Sequence, residues 1–386
     1  MLNAELKDPI WVDSYNRLTR IVADFAGSPY LAVDTESNSL FAYQEQVCLI
    51  QISTESNDYL IDPLSFSDLS PLEPIFADPR IEKIFHAAEY DIICLKRDFG
   101  FTFVNLFDTM VAARILGRQA VGLGSVLESE FGIQLDKRYQ RANWGQRPLP
   151  PAQKTYARFD SHFLIALRHR LQAELADSGR LELAQEDFLR LCQTAIPAVD
   201  NPGDACWRLA GHTEITPRQA AVLQALCNYR DTRARQTNQP QFKVLSNSAL
   251  VELALASPQN RAELMEVNSI SSRLLERHAD GLLNAIQQGQ LAAVPLRPRR
   301  NRHRDEELAN RQDALRAWRK ETGQKLLVES DVILPRDVMQ AIAETNPQDL
   351  NALQKVMESV PYRFRKFGPE ILNVISHEGS HHENSF

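Results

Sequence analysis

No stretch of this 386-residue chain is apolar over anything near the roughly 18 residues that a membrane-spanning helix needs. A spanning helix is therefore not expected. The opening residues, Met1 to Asp8, carry Glu5, Lys7 and Asp8 and lack an apolar core segment, so a cytoplasmic protein without a secretory leader is expected. Cysteine is scarce. Cys48, Cys94, Cys192, Cys206 and Cys227 are odd in number and contain no C-x-x-C pair, which argues against zinc or a disulfide framework. Buried free thiols in a reducing compartment are the expectation. Positive charge is not in excess either: the formal net charge is −7, whereas a protein that coats duplex DNA is usually basic. Any nucleic-acid role must rest on local basic patches, or on metal ions that neutralise an acidic site. No P-loop lysine pattern and no Ser–His–Asp or Cys–His set offers a competing chemistry.

What is present reads as two unlike halves. Trp11, Tyr15, Leu18, Ile21, Val22 and Phe25 recur at helical spacing. Gly27-Ser28-Pro29 then breaks the helix before an apolar strand. Gln46–Ser53 and Asp58–Ile61 read as further strands whose short connections suit antiparallel pairing. Beyond them, Leu69–Phe76, Tyr90–Phe99 and Thr109–Leu116 read as helices, Lys83–His86 and Val104–Phe107 as strands, and Ala152–Leu175 as one long helix. The expected product is an α/β domain over 1–195, with a mixed sheet flanked by helices.

From about Trp207 the strand signal vanishes. Shifting the chain on itself by 89 residues places Arg319 on Arg230, Leu315 on Leu226, and Ile333-Leu334 on Val244-Leu245. The same shift places Pro347-Gln348 on Pro258-Gln259 and Leu372-Asn373 on Leu283-Asn284. Leucine spacing alone would not reproduce those polar dipeptides. Two copies of one all-α domain are expected, at 207–290 and 306–377. The segment 291–305 between them includes Pro295–Arg304 (PLRPRRNRHR) and reads as a stiff linker that could also touch phosphates. Residues 378–386 read as a frayed tail, a metal site at His377, His381 and His382 being the weaker alternative.

The chemistry gathers around Leu31–Glu36 (LAVDTE), where three apolar residues run into two carboxylates one residue apart. Residues i and i+2 of a strand share a face, so Asp34 and Glu36 project side by side. A divalent cation is the usual relief for acids so close, although the hexapeptide alone also reads as a strand ending in a solvated acidic turn. Asp91, in Phe85-His86-Ala87-Ala88-Glu89-Tyr90-Asp91, sits where a strand gives way to a helix at the same end of the sheet. Its competing role is charge at a helix N-terminus. Asp108 reads as an N-cap rather than a ligand. In Tyr156-Ala157-Arg158-Phe159-Asp160 the phenol and the carboxylate stand at i and i+4, on one helical face. Four acids and a phenol suit two divalent cations, roughly 3.5–4 Å apart, that clamp a phosphodiester. Mg²⁺ or Mn²⁺ fits carboxylate ligands, with Asp34 bridging and Tyr156 orienting the attacking water.

These three motifs, VDTE, HAAEYD and Tyr-x-x-x-Asp, resemble those of the DEDD superfamily of 3′–5′ exonucleases, and Tyr156 places the chain in its tyrosine subgroup. With VCLIQIS, FDT and the trailing helices, the chain looks like the bacterial ribonuclease D family. The resemblance implies a ribonuclease H-like fold, with Asp34, Glu36, Asp91 and Asp160 as metal ligands and Tyr156 positioning water. The helical copies resemble the HRDC domain, a nucleic-acid-binding module; the first keeps Asn238-x-Pro240, whereas the second has Leu327 in place of the asparagine. Lys137–Leu149 (KRYQRANWGQRPL) alternates basic and aromatic residues and reads either as a substrate strap or as a surface loop pinned by a buried tryptophan. Relatives carry a similar W-x-x-R-P-L segment, so Trp144 and Arg147, with His86, are the candidate substrate contacts. The implied activity is trimming of RNA with a single-stranded 3′ end, tRNA precursors foremost, by a monomer without an obligate protein partner. A DNA exonuclease of the proofreading type remains open, since 2′-hydroxyl recognition is not legible here. A non-catalytic scaffold would lack one of the acids, and all four are present.

Overall fold

The computed structural model describes residues 7–197, 206–211, 213–294 and 302–379. The chain forms two compact units. One comprises Met1–Ser37, Val47–Ile196 and Arg300–Phe386; the other comprises Asn38–Gln46 and Pro197–Arg299. Among the described residues no helix is long and apolar enough to cross a membrane.

The first unit is built on a six-stranded sheet of order β1-β4-β3-β2-β5-β6. The strands are β1 Ile10–Val12, β2 Tyr30–Ser37, β3 Val47–Ser53, β4 Asp58–Ile61, β5 Glu82–Phe85 and β6 Leu106–Asp108. As the short connections imply, β2, β3 and β4 pair antiparallel, while β5 runs parallel to both β2 and β6. The carboxyl ends of β2 and β5 therefore lie at one edge of the sheet. Helices α1 Tyr15–Ala26, α2 Glu73–Phe76, α3 Glu89–Phe99, α4 Thr109–Ile115, α5 Leu123–Phe131, α6 Pro151–His162, α7 Leu164–Asp177 and α8 Leu181–Cys192 complete the domain. Their apolar faces and those of the strands form a main core, and Cys48, Leu49, Leu60, Trp144, Leu149 and Ala157 form a second cluster between the sheet and α6.

Two local expectations are corrected. Trp11 has helical spacing with Tyr15 and Leu18, yet it lies in β1, opposite Leu60 of β4; Ser14 is the N-cap that starts α1 three residues later. The long helix expected over Ala152–Leu175 is two helices, because the chain turns at Phe163. No glycine or proline marks that turn; Phe163 stacks on Phe159 there, with ring centroids 5.7 Å apart.

The helical region consists of α9 Pro217–Gln236, α10 Gln241–Val244, α11 Asn247–Ala256, α12 Arg261–Met265 and α13 Ser272–Leu291, then α14 Arg302–Leu326, α15 Ser330–Ile333, α16 Arg336–Thr345, α17 Leu350–Val356 and α18 Pro361–Gly379. The last four helices begin 89 residues after α10 to α13, so the repeat seen in the sequence is a repeat of structure. The proposed linker 291–305 overlaps α13 at Leu291 and α14 from Arg302; Pro295 to Asn301 lie outside the described residues, as do His381 and His382. In the second unit Cys206 and Cys227 are joined as a disulfide, which corrects the expectation of five free thiols. Their separation of 21 residues resembles no spacing motif, because proximity is created by folding the 206–210 turn onto α9. Cys48, Cys94 and Cys192 are buried, as expected.

The second helical copy belongs to the same unit as the sheet. Arg363 of α18, fully buried, bonds Glu186 at 2.6 Å and Asp187 at 2.8 Å on α8, and also donates to the Val332 carbonyl. Around that centre Arg114 pairs with Asp331, Arg190 with Asp337, and Arg365 with Glu182. The first copy belongs with Asn38–Gln46, the segment between β2 and β3. There the Tyr43 hydroxyl donates to Asp231 at 2.7 Å, and Lys243 sits 4.3 Å from the Phe41 ring centre.

Candidate active site

Asp34 and Glu36 stand on alternate positions of β2, where the strand has passed its buried Leu31–Val33 segment. Helix α6 crosses β3, β4 and β2 and brings Asp160 to them. One carboxylate oxygen from each of Asp34, Glu36 and Asp160 lies within 4.8 Å of the others. The three-way cluster is an oxygen-only donor set, the kind that hard divalent cations select over zinc or copper.

Asp91 enters from the first turn of α3 and is 7% exposed. It is outside the three-oxygen cluster, and its carboxylate accepts a hydrogen bond from Thr35, the residue between the two strand acids. Its charge nevertheless acts on Asp34, Glu36 and Asp160. The turn that presents Asp91 is held by Asp108. The Asp108 carboxylate accepts hydrogen bonds from the amides of Ala87, Ala88, Met110 and Val111. Asp108 is thus the expected N-cap of α4, and it also ties down Ala87, whose φ of 65° is costly for a residue with a side chain.

Burial is the main cause that raises the affinity of these acids for protons, and mutual repulsion adds to it. Asp34 lies well above the usual carboxylate range and Glu36 is pushed up to about 9, with Asp160 and Asp91 each at about 7. For Asp91 the Thr35 hydrogen bond opposes burial. Acids in that condition lack counter-charge, and a bound cation reverses the preference by favouring the ionised form.

Tyr156 shares α6 with Asp160. Burial and the charges of Asp160, Glu36 and Asp34 raise its pKa, so its hydroxyl keeps its proton. Trp144 and Tyr139 pack on its ring at centroid distances of 6.0 and 5.8 Å. Next to Asp160 on the same helix, Arg158 and His162 grip Asp58 of β4 at 2.6 and 2.9 Å, while Ser161 meets Ser53 of β3 at 2.8 Å. Burial alone would raise the Asp58 pKa; hydrogen bonds from His162 and Ser53, with the charges of His162 and Arg158, hold it below the ordinary value. That network fixes the helix carrying Tyr156 and Asp160 against the sheet.

The substrate contacts expected at Trp144 and Arg147 are corrected. Trp144 is 1% exposed, so no face of its ring is open to a base. Arg147 grips Asp62 at 2.6 and 2.8 Å and donates to the carbonyls of Cys48 and Trp144. Both residues support Tyr156 and β3 from behind. His86 is half-buried, with Nδ1 2.9 Å from the Thr109 hydroxyl, and burial lowers its pKa. Gln51 went unnoticed in the sequence. It lies opposite Asp34 in the β2–β3 register, so the two side chains share a face. It is fully buried with neither amide atom partnered. A glutamine in the middle of the apolar run VCLIQIS was the available signal.

Residues 9–176 match a 3′–5′ exonuclease domain family, and residues 219–286 and 309–375 each match the HRDC domain. Ribonuclease D from Jannaschia sp. is 34% identical over 292 residues, covering 74% of this chain and 73% of its own length. Protein RRP6-like 3 of Arabidopsis thaliana is 32% identical over 67% of this chain, but the chain spans about a third of that relative, 32%. Among solved structures, Escherichia coli RNase D, described as an exoribonuclease involved in structured RNA processing, superposes with a TM-score of 0.73 at 26% identity, covering 96% of this chain and 99% of that one.

Proposed function

The chain belongs to the ribonuclease D family of 3′–5′ exonucleases, and we propose that it shortens structured RNAs from single-stranded 3′ ends, releasing 5′-mononucleotides, with tRNA precursors as its main substrates in the cytoplasm. The observation that supports this reading is the meeting of Asp34, Glu36 and Asp160 within 4.8 Å, beside a tyrosine on the same helix as Asp160. Asp34, Glu36, Asp160 and Asp91 would hold divalent cations, Mg²⁺ or Mn²⁺, which supply water activation and stabilisation of the leaving 3′ oxygen.

The chain's own residues supply position. Tyr156 keeps its proton and offers a hydroxyl that orients the attacking water toward the phosphodiester. Trp144 and Tyr139 keep that phenol in place, and the Asp58–Arg158–His162 network keeps its helix in place. Thr35 and Asp108 together set the position of Asp91.

The test is side-by-side digestion of a tailed hairpin RNA and its DNA counterpart by the purified protein with Mg²⁺ or Mn²⁺. Stepwise loss of 3′ nucleotides from RNA is expected. Asp34→Asn should lower the rate by about a thousandfold or more, as for loss of a principal electrostatic catalytic group, with the melting temperature kept or raised because a buried repulsion is relieved. Full metal-dependent activity in that variant would end the mechanism, and preference for DNA would end the substrate assignment.

A further inference from the structure

The second helical copy borders a cleft of about 1240 Å³ whose walls come from both the exonuclease domain and that copy. Arg316, Arg319 and Arg336 line it on the helical side; Glu89 and Arg190 line it on the other. Glu89 is exposed on the first turn of α3, the turn that also carries the buried Asp91, so one helix contributes to both the cleft and the acid site.

The arginines of this cleft are incompletely paired. Arg190 is committed to Asp337, at 2.8 Å. Arg316 pairs with Asp313 at 2.6 Å, but both side chains are more than half exposed, so the pair is weak. Arg319 gives one guanidinium nitrogen to the Leu334 carbonyl at 3.0 Å, and its buried Nε has no partner. Arg336 makes no ion pair or hydrogen bond among the described residues, and it occupies the first position of α16, where the helix dipole already disfavours a cation. Asp331, the acid that acts on Arg319, is bonded through both oxygens to Arg114.

The internal repeat supplies an independent control. Arg230 of the first copy corresponds to Arg319 and donates to the Leu245 carbonyl, just as Arg319 donates to Leu334. The Nε of Arg230 is likewise buried without a partner, and there the resemblance ends. Arg230 also reaches the side chain of Asn247 at 2.7 Å. The residue corresponding to Asn247 is Arg336, and the residue corresponding to Cys227 is Arg316. A neutral acceptor and a disulfide sulfur in one copy are thus two guanidinium groups in the other, both opposing the charge on Arg319. Arg319 thus meets two like charges at one cleft, and an anion shared by the three would relieve that repulsion.

We propose that this cleft binds the phosphate backbone of the RNA upstream of the 3′ end, with Arg316 and Arg336 as direct phosphate contacts and the half-buried Arg319 behind them. The choice of RNA as ligand rests on the exonuclease reading above. The cleft is a docking groove for the strand being shortened, separate from the acids that cut it.

The test compares the parent with the double variant Arg316→Gln/Arg336→Asn, the second change restoring the first copy's residue. Binding of a tailed hairpin RNA is measured in EDTA over a range of salt, so it needs no turnover. The variant should bind about tenfold more weakly. Its log–log salt slope should be shallower by about 1.4, for two phosphate contacts to a single strand. Hydrolysis of a dinucleotide, which has no phosphodiester upstream of the scissile one to place in the cleft, should be unchanged, and the melting temperature equal or higher because like charges are separated. A variant with the parent's RNA affinity and salt slope would overturn the proposal. So would inorganic phosphate raising the parent's melting temperature while RNA affinity stays the same in both proteins, since that marks a site for a free anion. Failure of the parent to cut RNA would sink the exonuclease reading separately, while the binding comparison still decides the cleft.

Discussion

Both helical copies bury the same register of residues: Leu226 and Leu315, Leu245 and Leu334, Leu253 and Ile342, Leu264 and Leu353, Leu282 and Ile371. Their surfaces part company at four corresponding positions. Where the second copy has Asp331, Asp337, Arg363 and Arg365, each bonded to the exonuclease domain, the first has Phe242, Ser248, Leu274 and Glu276. Conversely, Asp231 of the first copy binds the Tyr43 hydroxyl, and its counterpart in the second is the exposed Lys320. The core decides that each copy folds as it does, because burial is non-directional and tolerates any apolar side chain of suitable volume. A handful of charges decides what each fold is used for.

The sharpest way to break this comparison is Arg363→Leu, which gives the second copy the first copy's residue. It leaves Glu186 and Asp187 without their buried counter-charge, and a loss of about 3–5 kcal/mol is expected in urea unfolding. A loss below about 1 kcal/mol would make the pairing incidental. A smaller effect belongs to Asp337→Ser, since Asp337 is 68% exposed and its bridge to Arg190 is screened. There the expected cost is below about 1 kcal/mol and should fade as salt is raised. Smallest, and opposite in sign, is Leu327→Asn. Leu327 has φ 55° and is 77% exposed, while Asn238 holds the same conformation at φ 46° in the first copy. Asparagine tolerates the left-handed region better than leucine, so a gain of about 0.5 kcal/mol is expected in thermal or urea melts.

How much was legible in the sequence follows from what each feature depends on. The repeat was visible because its core positions stay apolar and its Pro-Gln and Leu-Asn dipeptides survive unchanged. The strand acids and the Tyr156–Asp160 pair were visible because strand and helix periods alone place them on shared faces. Trp144 and Arg147 misled because a basic, aromatic segment has the same composition whether it lies over RNA or folds inward. Only the Asp62 carboxylate, 85 residues earlier, reveals which. The Cys206–Cys227 pairing, the turn at Phe163 and the placing of Trp11 on the sheet likewise depend on neighbours that local spacing does not reveal. The arginine cleft was hidden for the same reason: Arg316 and Arg336 acquire meaning only when set against Cys227 and Asn247.

The Arg363 anchor has a consequence for the order in which the protein is made. Glu186 and Asp187 leave the ribosome some 176 residues before the arginine that will neutralise them, and domains generally fold as they emerge, N-terminal first. Until α18 is synthesised, α8 offers water a run of unpaired acids, Glu182 included. A chain still being translated therefore presents negative charge on the face where the finished protein joins its second copy. Arrival of α18 closes that face, so the join between the exonuclease domain and the second copy waits on the synthesis of that one helix.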